Sequence, residues 1–252
     1  MNIHSILYIP QPKANAPIRL VCFPYAGGGA SLFFPWLNLM PEKVEVAIIQ
    51  LPGRGTRFSE SPYESMDDIV ECIYRALKEL PSKELIFFGH SMGARIAYEI
   101  TLRIYHRKEQ LPVHFIASGS PAPCVRSKKP PCHNLPTEEF IKHLGTLNGT
   151  PKEVLSDPQL MELLLPALRA DFKIAEGYLN TTRITIPTTI TLFSGRLDDI
   201  NTEELEPWFL LFQYNRDIVW FEGGHFFINE NHSELISALK KEIMNCNSLD
   251  LI

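Results

Sequence analysis

The sequence predicts an α/β protein with a mostly parallel central sheet, helices on both faces of that sheet and an inserted helical segment. Short apolar runs alternate with segments of helical periodicity along most of the 252 residues. This alternation is typical of parallel sheets, because a helix connects each strand with the next. It is interrupted at about 121–183, where prolines cluster and helical patterns follow without a strand. We expect one domain over 1–252 with that segment inserted.

The composition indicates an ordinary globular protein and argues against several partners. A formal net charge of −5 disfavours nucleic acid. No apolar run approaches the length of a membrane span, and no signal peptide is recognisable, so we expect no membrane partner. Five scattered cysteines argue against a disulfide framework and favour a reducing compartment, here the cytoplasm. Cys124, Cys132 and His133 lie close in sequence, but we predict no metal site there.

Up to residue 118, the predicted strands are an edge strand or arm at 6–9 and buried strands at 18–23, 44–50, 84–88 and 114–118. A helix begins at Ser65, because acidic residues follow in a first turn and apolar residues recur at helical spacing. A second helix follows the strand at 84–88, with an apolar stripe from Ala97 to Ile104.

The inserted segment, about 121–183, is predicted to be a lid over the site, with a purely structural subdomain as the alternative. Thr137 caps one of its helices, and a longer helix covers 157–178. After the lid, a strand at 188–194 precedes a helix capped by Thr202. The remaining predicted elements are the last strand at 218–221 and a closing helix at about 233–244.

The segment Gly89-His90-Ser91-Met92-Gly93 stands between a predicted strand and a predicted helix. In this context Gly-x-Ser-x-Gly is typical of a nucleophile elbow, which exposes the serine at the carboxyl edge of the sheet. Glycines are needed because a Cβ would crowd the strained serine, and the helix N-terminus favours a developing negative charge. Ser91 is the predicted nucleophile, with a surface Gly-Ser turn as the alternative.

A glycine cluster, Gly27-Gly28-Gly29, follows the strand at 18–23 and indicates a close approach of the backbone to another group. The cluster lacks the lysine and the spacing of nucleotide-binding loops. An oxyanion loop fits better, because enzymes with a nucleophile elbow take a second backbone N–H from an early loop after a strand. A plain glycine turn is the alternative.

A nucleophilic serine needs a base, and the base needs an acid that holds its tautomer. With a nucleophile elbow the chain order is serine, acid, histidine, each after a strand. His225 follows the last strand behind two glycines, and His232 is the second choice. Asp198 and Asp199 both follow the penultimate strand, so this reasoning leaves the choice of acid open. The weaker candidates for the acid are Asp171 and Asp217.

Four segments occur in the order of a known enzyme family. They are Phe23-Pro24-Tyr25-Ala26-Gly27-Gly28, Gln50-Leu51-Pro52-Gly53-Arg54, Gly89-His90-Ser91-Met92-Gly93-Ala94 and Gly223-Gly224-His225-Phe226-Phe227. From about residue 18 to 240 the chain resembles type II thioesterases, the stand-alone editing enzymes of nonribosomal peptide and polyketide synthesis. The resemblance implies an α/β-hydrolase fold with a lid. It also implies hydrolysis of acyl thioesters on the phosphopantetheine arm of acyl or peptidyl carrier proteins, without a cofactor or metal.

The resemblance also implies roles for single residues. The Gly-x-x-Asp motif of the family aligns Asp198 with the acid, whereas Asp199 stands where the family often has proline. Tyr25 occupies a position that often holds histidine, a difference that we expect to be tolerated. The implied roles are Ser91 as nucleophile, His225 as base, the backbone N–H groups of Ala26 and Met92 as oxyanion donors, and Leu168 and Phe172 as lid residues that line the substrate channel.

Carrier proteins are usually acidic and this chain is itself net negative, so docking is expected to need a local basic surface. The candidates are Arg126, Lys128 and Lys129 at the start of the lid, followed by Arg54 and Arg57. The alternative functions are a general serine esterase or lipase, a medium-chain fatty-acyl thioesterase, and a catalytically silent hydrolase fold that serves as a binding module. We expect a monomer.

Overall fold

The computed structural model describes residues 6–246, and seven strands in that range form one sheet in the order β1-β3-β2-β4-β5-β6-β7. β1 runs antiparallel to β3, and the other neighbouring strands run parallel. The predicted mostly parallel sheet is confirmed. The strands are β1 Leu7–Tyr8, β2 Ile18–Phe23, β3 Val44–Ile49, β4 Glu84–His90, β5 His114–Ser118, β6 Ile186–Gly195 and β7 Phe212–Phe221.

Helices cover both faces of the sheet. The α-helices are α1 Met66–Glu79, α2 Met92–His106, α3 Thr137–Leu147, α4 Lys152–Leu155, α5 Pro158–Gly177, α6 Thr202–Leu205, α7 Phe227–Glu230 and α8 His232–Cys246. Short 3-10 helices span Ala30–Trp36, Gly55–Arg57 and Glu206–Leu210. Within the described range, no helix is long and apolar enough to cross a membrane. The cysteines are free thiols.

The central strands are largely apolar because both faces of the sheet are buried, and the buried charges Arg19 of β2 and Glu45 of β3 pair with each other. Successive side chains of a strand point to opposite faces, so Phe87 packs into the core beneath α1 and α2. Its neighbour Phe88 packs into the core beneath α8 and the 3-10 helix Ala30–Trp36. Burial of each such side chain contributes roughly 2–3 kcal/mol.

The segment between β5 and β6 contains α3, α4 and α5, which share a small core of their own. That core contains Cys132, Phe140, Leu144, Met161 and Leu168. The side chain of Asp157 caps α5 by accepting from the backbone N–H groups of Gln159 and Leu160. The lid predicted for 121–183 therefore coincides with a helical insertion, and its gating role stays a prediction.

Two predicted helix caps are wrong. Asn201, rather than Thr202, caps α6, because its side chain accepts from Glu204 N while the Glu204 carboxylate accepts from Asn201 N. Thr137 is the first residue of α3, and Pro136 occupies the position before it. The last strand begins at Phe212 rather than at residue 218. The sequence pattern missed this start because β7 is an edge strand whose first half is largely exposed and polar.

Candidate active site

Ser91 stands in a strained turn between β4 and α2, with φ +55° and ψ −117°. A Cβ at Gly89 would lie 2.5 Å from the backbone N of Ala94, and a Cβ at Gly93 would overlap the backbone oxygen of Phe23. Glycine is therefore required on both sides of the serine. The backbone N–H of Ser91 donates to the oxygen of Ser118 at 2.8 Å, which fixes the turn to the end of β5.

Asp198 and His225 meet at the carboxyl edge of the sheet. Asp198 follows β6, His225 follows β7, and the Oδ2 to Nδ1 distance is 2.9 Å. The Asp198 side chain is 4% exposed and that of His225 is 31% exposed. A buried carboxylate on Nδ1 leaves Nε2 free to act as a base. No hydrogen bond among the described residues joins Ser91 Oγ to His225, so the structure joins two of the three predicted residues directly.

Asp199 points elsewhere. Its side chain is 81% exposed and accepts from Lys129 Nζ at 2.7 Å. This hydrogen bond and the charge of Lys129 lower the pKa of the Asp199 carboxyl. The other predicted candidates are also engaged differently: Asp171 pairs with Arg54, Asp217 is exposed on β7, and the His232 ring lies against Trp36.

His90 connects the serine turn to the histidine loop. Its Nε2 lies 3.0 Å from the backbone oxygen of His225 and its Nδ1 lies 2.8 Å from Ser118 Oγ. Burial lowers the pKa of His90 well below its ordinary value, and the nearby charge of His225 adds to this effect. The ring is therefore neutral. Because a carbonyl only accepts, Nε2 carries the proton, and Nδ1 accepts from the Ser118 hydroxyl.

The loop after β2 carries the predicted oxyanion donor Ala26. Gly28 N donates to Tyr25 O at 2.8 Å, which closes a tight turn. Within the described residues, the N–H groups of Ala26 and Met92 have no protein acceptor. Gly27, at φ +79°, donates to the Asp171 carboxylate in α5 at 2.7 Å. The predicted close approach at this glycine cluster is made by the lid helix.

A cavity of about 300 Å³ lies between this loop and the helices of the insertion. Its walls include the predicted channel residues Leu168 and Phe172, together with Phe226, which follows His225. The loops after β2 and β3 form one side of the cavity, including Arg54, and apolar residues of α3, α4 and α5 form the other. The apolar side of the cavity suits an apolar chain, since Arg54 on the other side is already paired with Asp171. The predicted docking residues Arg126, Lys128 and Lys129 are exposed, whereas Arg54 and Arg57 are buried in ion pairs.

Sequence reasoning missed the pair formed by Arg54 and Asp171. Arg54 belongs to the second motif of the resemblance, and Asp171 was a weak candidate for the acid. The signal available was a charged residue within the apolar surroundings of a helix, since Asp171 lies next to apolar residues of α5 that face the body. A buried charge implies a partner.

Comparisons with known proteins identify the family of the chain. Residues 18–243 match the family model described as a thioesterase domain. The chain is 39% identical to the gramicidin S biosynthesis protein GrsT of Aneurinibacillus migulanus, over 92% of this chain and 91% of that protein. It is 30% identical to the medium-chain S-acyl fatty acid synthase thioesterase of Rattus norvegicus, over 97% and 94%. The type II thioesterase BorB from the borrelidin biosynthetic cluster superposes with a TM-score of 0.85 at 28% identity, covering 93% of this chain and 96% of that one.

Proposed function

The chain belongs to the thioesterase family, and from this premise we propose that it is a type II thioesterase of nonribosomal peptide or polyketide synthesis. It hydrolyses acyl thioesters on the phosphopantetheine arm of carrier proteins and so clears misprimed or stalled acyl groups. The observation that carries the proposal is the buried contact of Asp198 with His225 next to the strained turn of Ser91.

In the proposed mechanism Ser91 Oγ attacks the thioester carbonyl while His225 Nε2 accepts the serine proton. The tetrahedral oxyanion lies between the N–H groups of Ala26 and Met92, each contributing about 3 kcal/mol to its stabilisation. Collapse breaks the C–S bond, and His225 returns the proton to the leaving thiolate. Water then attacks the acyl-serine while His225 accepts a proton from it. Collapse breaks the bond to Ser91 Oγ, His225 returns the proton to that oxygen, and the carboxylic acid is released. Asp198 holds the imidazole in the required tautomer throughout.

We propose that the 300 Å³ cavity receives the acyl chain, with Leu168 and Phe172 as part of its wall. An apolar chain gains roughly 0.8 kcal/mol for each buried methylene. A charged acyl group would lose hydration, because Arg54, the charged residue of the described lining, is already paired with Asp171. The lid therefore favours apolar acyl groups over charged ones.

We further propose that carrier proteins dock beside Asp199. The ion pair of Lys129 with Asp199 brings the basic start of the lid next to the acid of the site. Arg126 and Lys128 in the same loop are exposed, so they can meet acidic side chains of a carrier. Rim charges of this kind act on the association rate more than on the final affinity.

Intact-mass measurement of acyl-loaded carrier proteins after brief exposure to the enzyme tests the proposal. We expect the mass to fall by the acyl group while the phosphopantetheine arm is retained, and Ser91→Ala to leave the mass unchanged. A fluorophosphonate probe should add one adduct to the wild type and none to Ser91→Ala. Equal rates on the carrier thioester and on an oxygen ester of the same acyl group would replace the proposal with a general esterase.

A medium-chain fatty-acyl thioesterase is the second candidate, favoured by the similarity to the rat enzyme over nearly the whole chain. The same assay separates the two functions when the acyl length is varied. A fatty-acyl enzyme should act mainly on chains of medium length on a fatty-acid carrier. An editing enzyme should remove short acyl groups from peptidyl or polyketide carriers.

A further inference from the structure

We propose that Asp171 is a positioning residue that holds the oxyanion loop in its active shape, so that part of the lid helix belongs to the catalytic scaffold. The inference rests on the proposed role of the Ala26 N–H as an oxyanion donor. It concerns how that donor is aimed and does not depend on which acyl group or carrier is used.

The Asp171 carboxylate joins three groups of two loops. Its Oδ2 accepts from Gly27 N at 2.7 Å and also from Arg54 Nη1. Its Oδ1 accepts from Arg54 Nη2 at 2.8 Å. The Asp171 side chain is 2% exposed and that of Arg54 is 7% exposed, so water competes little for these bonds. A bidentate pair of this kind fixes the relative orientation of both side chains.

Arg54 extends the contact to further backbone groups. Its Nη1 also donates to Gly28 O at 3.3 Å, and its Nε donates to Pro52 O at 3.2 Å. The guanidinium therefore connects the loop after β2 with the loop after β3. Asp171 is the only carboxylate that the described hydrogen bonds give to this guanidinium.

These bonds determine the direction of the Ala26 N–H. The Tyr25 carbonyl and the Ala26 N–H belong to one planar trans peptide and point in opposite directions. Gly28 N holds that carbonyl at 2.8 Å, so the N–H is directed to the other side of the turn. The conformation of this turn depends on Gly27 and Gly28. Asp171 accepts from the N–H of Gly27, and Arg54 donates to the carbonyl of Gly28.

Helix α5 packs so closely against the loops after β2 and β3 that Gly27 and Gly53 have little space for a side chain. A Cβ at Gly27 would lie 2.6 Å from Leu168 Cδ2, and a Cβ at Gly53 would lie 3.0 Å from Ala167 Cβ. Both glycines have positive φ values, +79° and +78°. One helical turn, which also contains Asp171, is thus packed directly against the two loops. A displacement of this turn would carry Gly27 with it.

A purely structural role predicts a different result. A buried ion pair contributes little net stability, because desolvation of both charges offsets their attraction, although removal of one partner is costly. Loss of stability alone lowers the fraction of folded enzyme and leaves the turnover of each folded molecule unchanged. A positioning role lowers the turnover of each active molecule, because the donor is no longer aimed at the oxyanion.

The test compares Asp171→Asn with Asp157→Ala in the same helix. Asp157 caps α5 by accepting from two backbone N–H groups, so its loss weakens the helix without touching the loop. Each variant is titrated with a fluorophosphonate, and kcat and KM per titrated site are measured with a small acyl-cysteamine thioester. An alkyl boronic acid, which forms a tetrahedral adduct on a serine, reports the affinity for the oxyanion.

We expect Asp171→Asn to lower kcat about 10- to 100-fold, to change KM less than about threefold and to weaken boronic acid binding by a factor similar to that of kcat. Asp157→Ala should leave all three values unchanged. Arg54→Lys, which keeps a positive charge beside Asp171 but loses the fork, should show an intermediate effect and serves if Asp171→Asn does not fold. Unchanged kcat and boronic acid affinity per titrated site, in whichever variant folds, would overturn the proposal.

The result is independent of the proposed substrate. If carrier thioesters prove not to be substrates, the proposed function fails, yet the effect of Asp171→Asn persists with the small thioester or with an oxygen ester. If the carrier assay succeeds and Asp171→Asn has no effect, only the positioning role is lost.

Discussion

The Nε2 of His90 lies 3.0 Å from the backbone oxygen of His225, so the residue before the serine holds the loop that carries the histidine. Nδ1 of the same ring accepts from Ser118 Oγ, and the backbone oxygen of Ser118 accepts from Ser91 N. Three hydrogen bonds thereby connect the backbones on which Ser91 and His225 stand. Two of them, to the His225 oxygen and from Ser118 Oγ, are made by an imidazole that is buried and neutral.

His90→Phe should lower kcat about tenfold or more, because a misplacement of His225 by a fraction of an ångström weakens proton transfer. The phenyl ring has a similar size but leaves the His225 oxygen and Ser118 Oγ without a partner, at about 1–3 kcal/mol for each. Kinetics per titrated site separate the two effects. Ser118→Ala is the control, since it removes only the Nδ1 partner; a kcat for His90→Phe equal to that of the control would contradict this role.

Asp198→Asn should lower kcat by about 10⁴, because an amide on Nδ1 favours the wrong tautomer of His225. Asp199→Asn should change kcat less than about threefold, since its exposed carboxylate contacts Lys129. The measurement is steady-state hydrolysis of a small thioester by both variants. Similar losses in the two variants would show that the Asp198 contact is not the one that catalysis uses.

Reversal of Arg126 and Lys128 to Glu should raise KM for an acyl carrier protein several-fold and leave hydrolysis of an acyl-cysteamine thioester unchanged. The effect should shrink as salt is added, because exposed charges are screened. Lys241→Glu is the matched control, because Lys241 is exposed near the end of α8 and far from the site. The end of α8 lies at the opposite edge of the sheet, since Cys246 contacts His114 at the start of β5. An equal rise in KM for Lys241→Glu would exclude a specific docking surface.

Hydrogen exchange should divide the insertion into two parts. The second half of α5 is tied to the body through Asp171, through Arg95 to the Ala175 oxygen, and through Lys173 to Glu64 at 2.6 Å. α3 and α4 pack mainly within the insertion. Because fewer contacts mean a lower free energy of opening, amides of α3 and α4 should exchange faster than those of 167–177. Uniform exchange over 137–177 would show that the insertion opens as one unit.

Acid should destabilise the fold through His114, whose burial lowers its pKa to about 3, with the charge of Arg216 adding to the effect. Glu242 lies 3.6 Å from the ring, but its carboxylate also faces Arg216 and accepts from Thr191. The folded ring stays neutral while the unfolded one takes a proton below about pH 6.5. The contribution of His114 to the free energy of unfolding is therefore complete above pH 6.5 and falls by about 1.4 kcal/mol per pH unit towards pH 3.

Chemical denaturation at pH 7.5 and 5.0 measures this effect. The wild type should lose about 2 kcal/mol more than His114→Gln over that interval, because contributions of other groups cancel in the difference. His106→Gln, at an exposed position of α2, should behave as the wild type does. Equal losses in wild type and His114→Gln would rule out His114 as the source.

The elements that could be predicted from the sequence are those whose signal is local. Ser91, Asp198 and His225 each follow a strand, so their common edge follows from the parallel order alone. The choice between Asp198 and Asp199 depended on a resemblance, since adjacent residues differ only in the direction of their side chains. The contact of Arg54 with Asp171 spans 117 residues and depends on how α5 packs on a loop, which no local pattern encodes. The exposed first half of β7 lacks the apolar run that marks the inner strands.

The missing side chain of Gly93 lets the start of α2 touch the backbone of Phe23 at the end of β2. The separation of the serine turn from the loop that carries Ala26 is therefore set by main-chain atoms, which are the same whatever residues surround them. We therefore expect substitutions in either core to leave that separation largely unchanged. The fold itself tolerates such change, since BorB superposes with a TM-score of 0.85 at 28% identity. Residues of the lid can therefore be substituted to accept new acyl groups, provided that Gly89 and Gly93 are left unchanged.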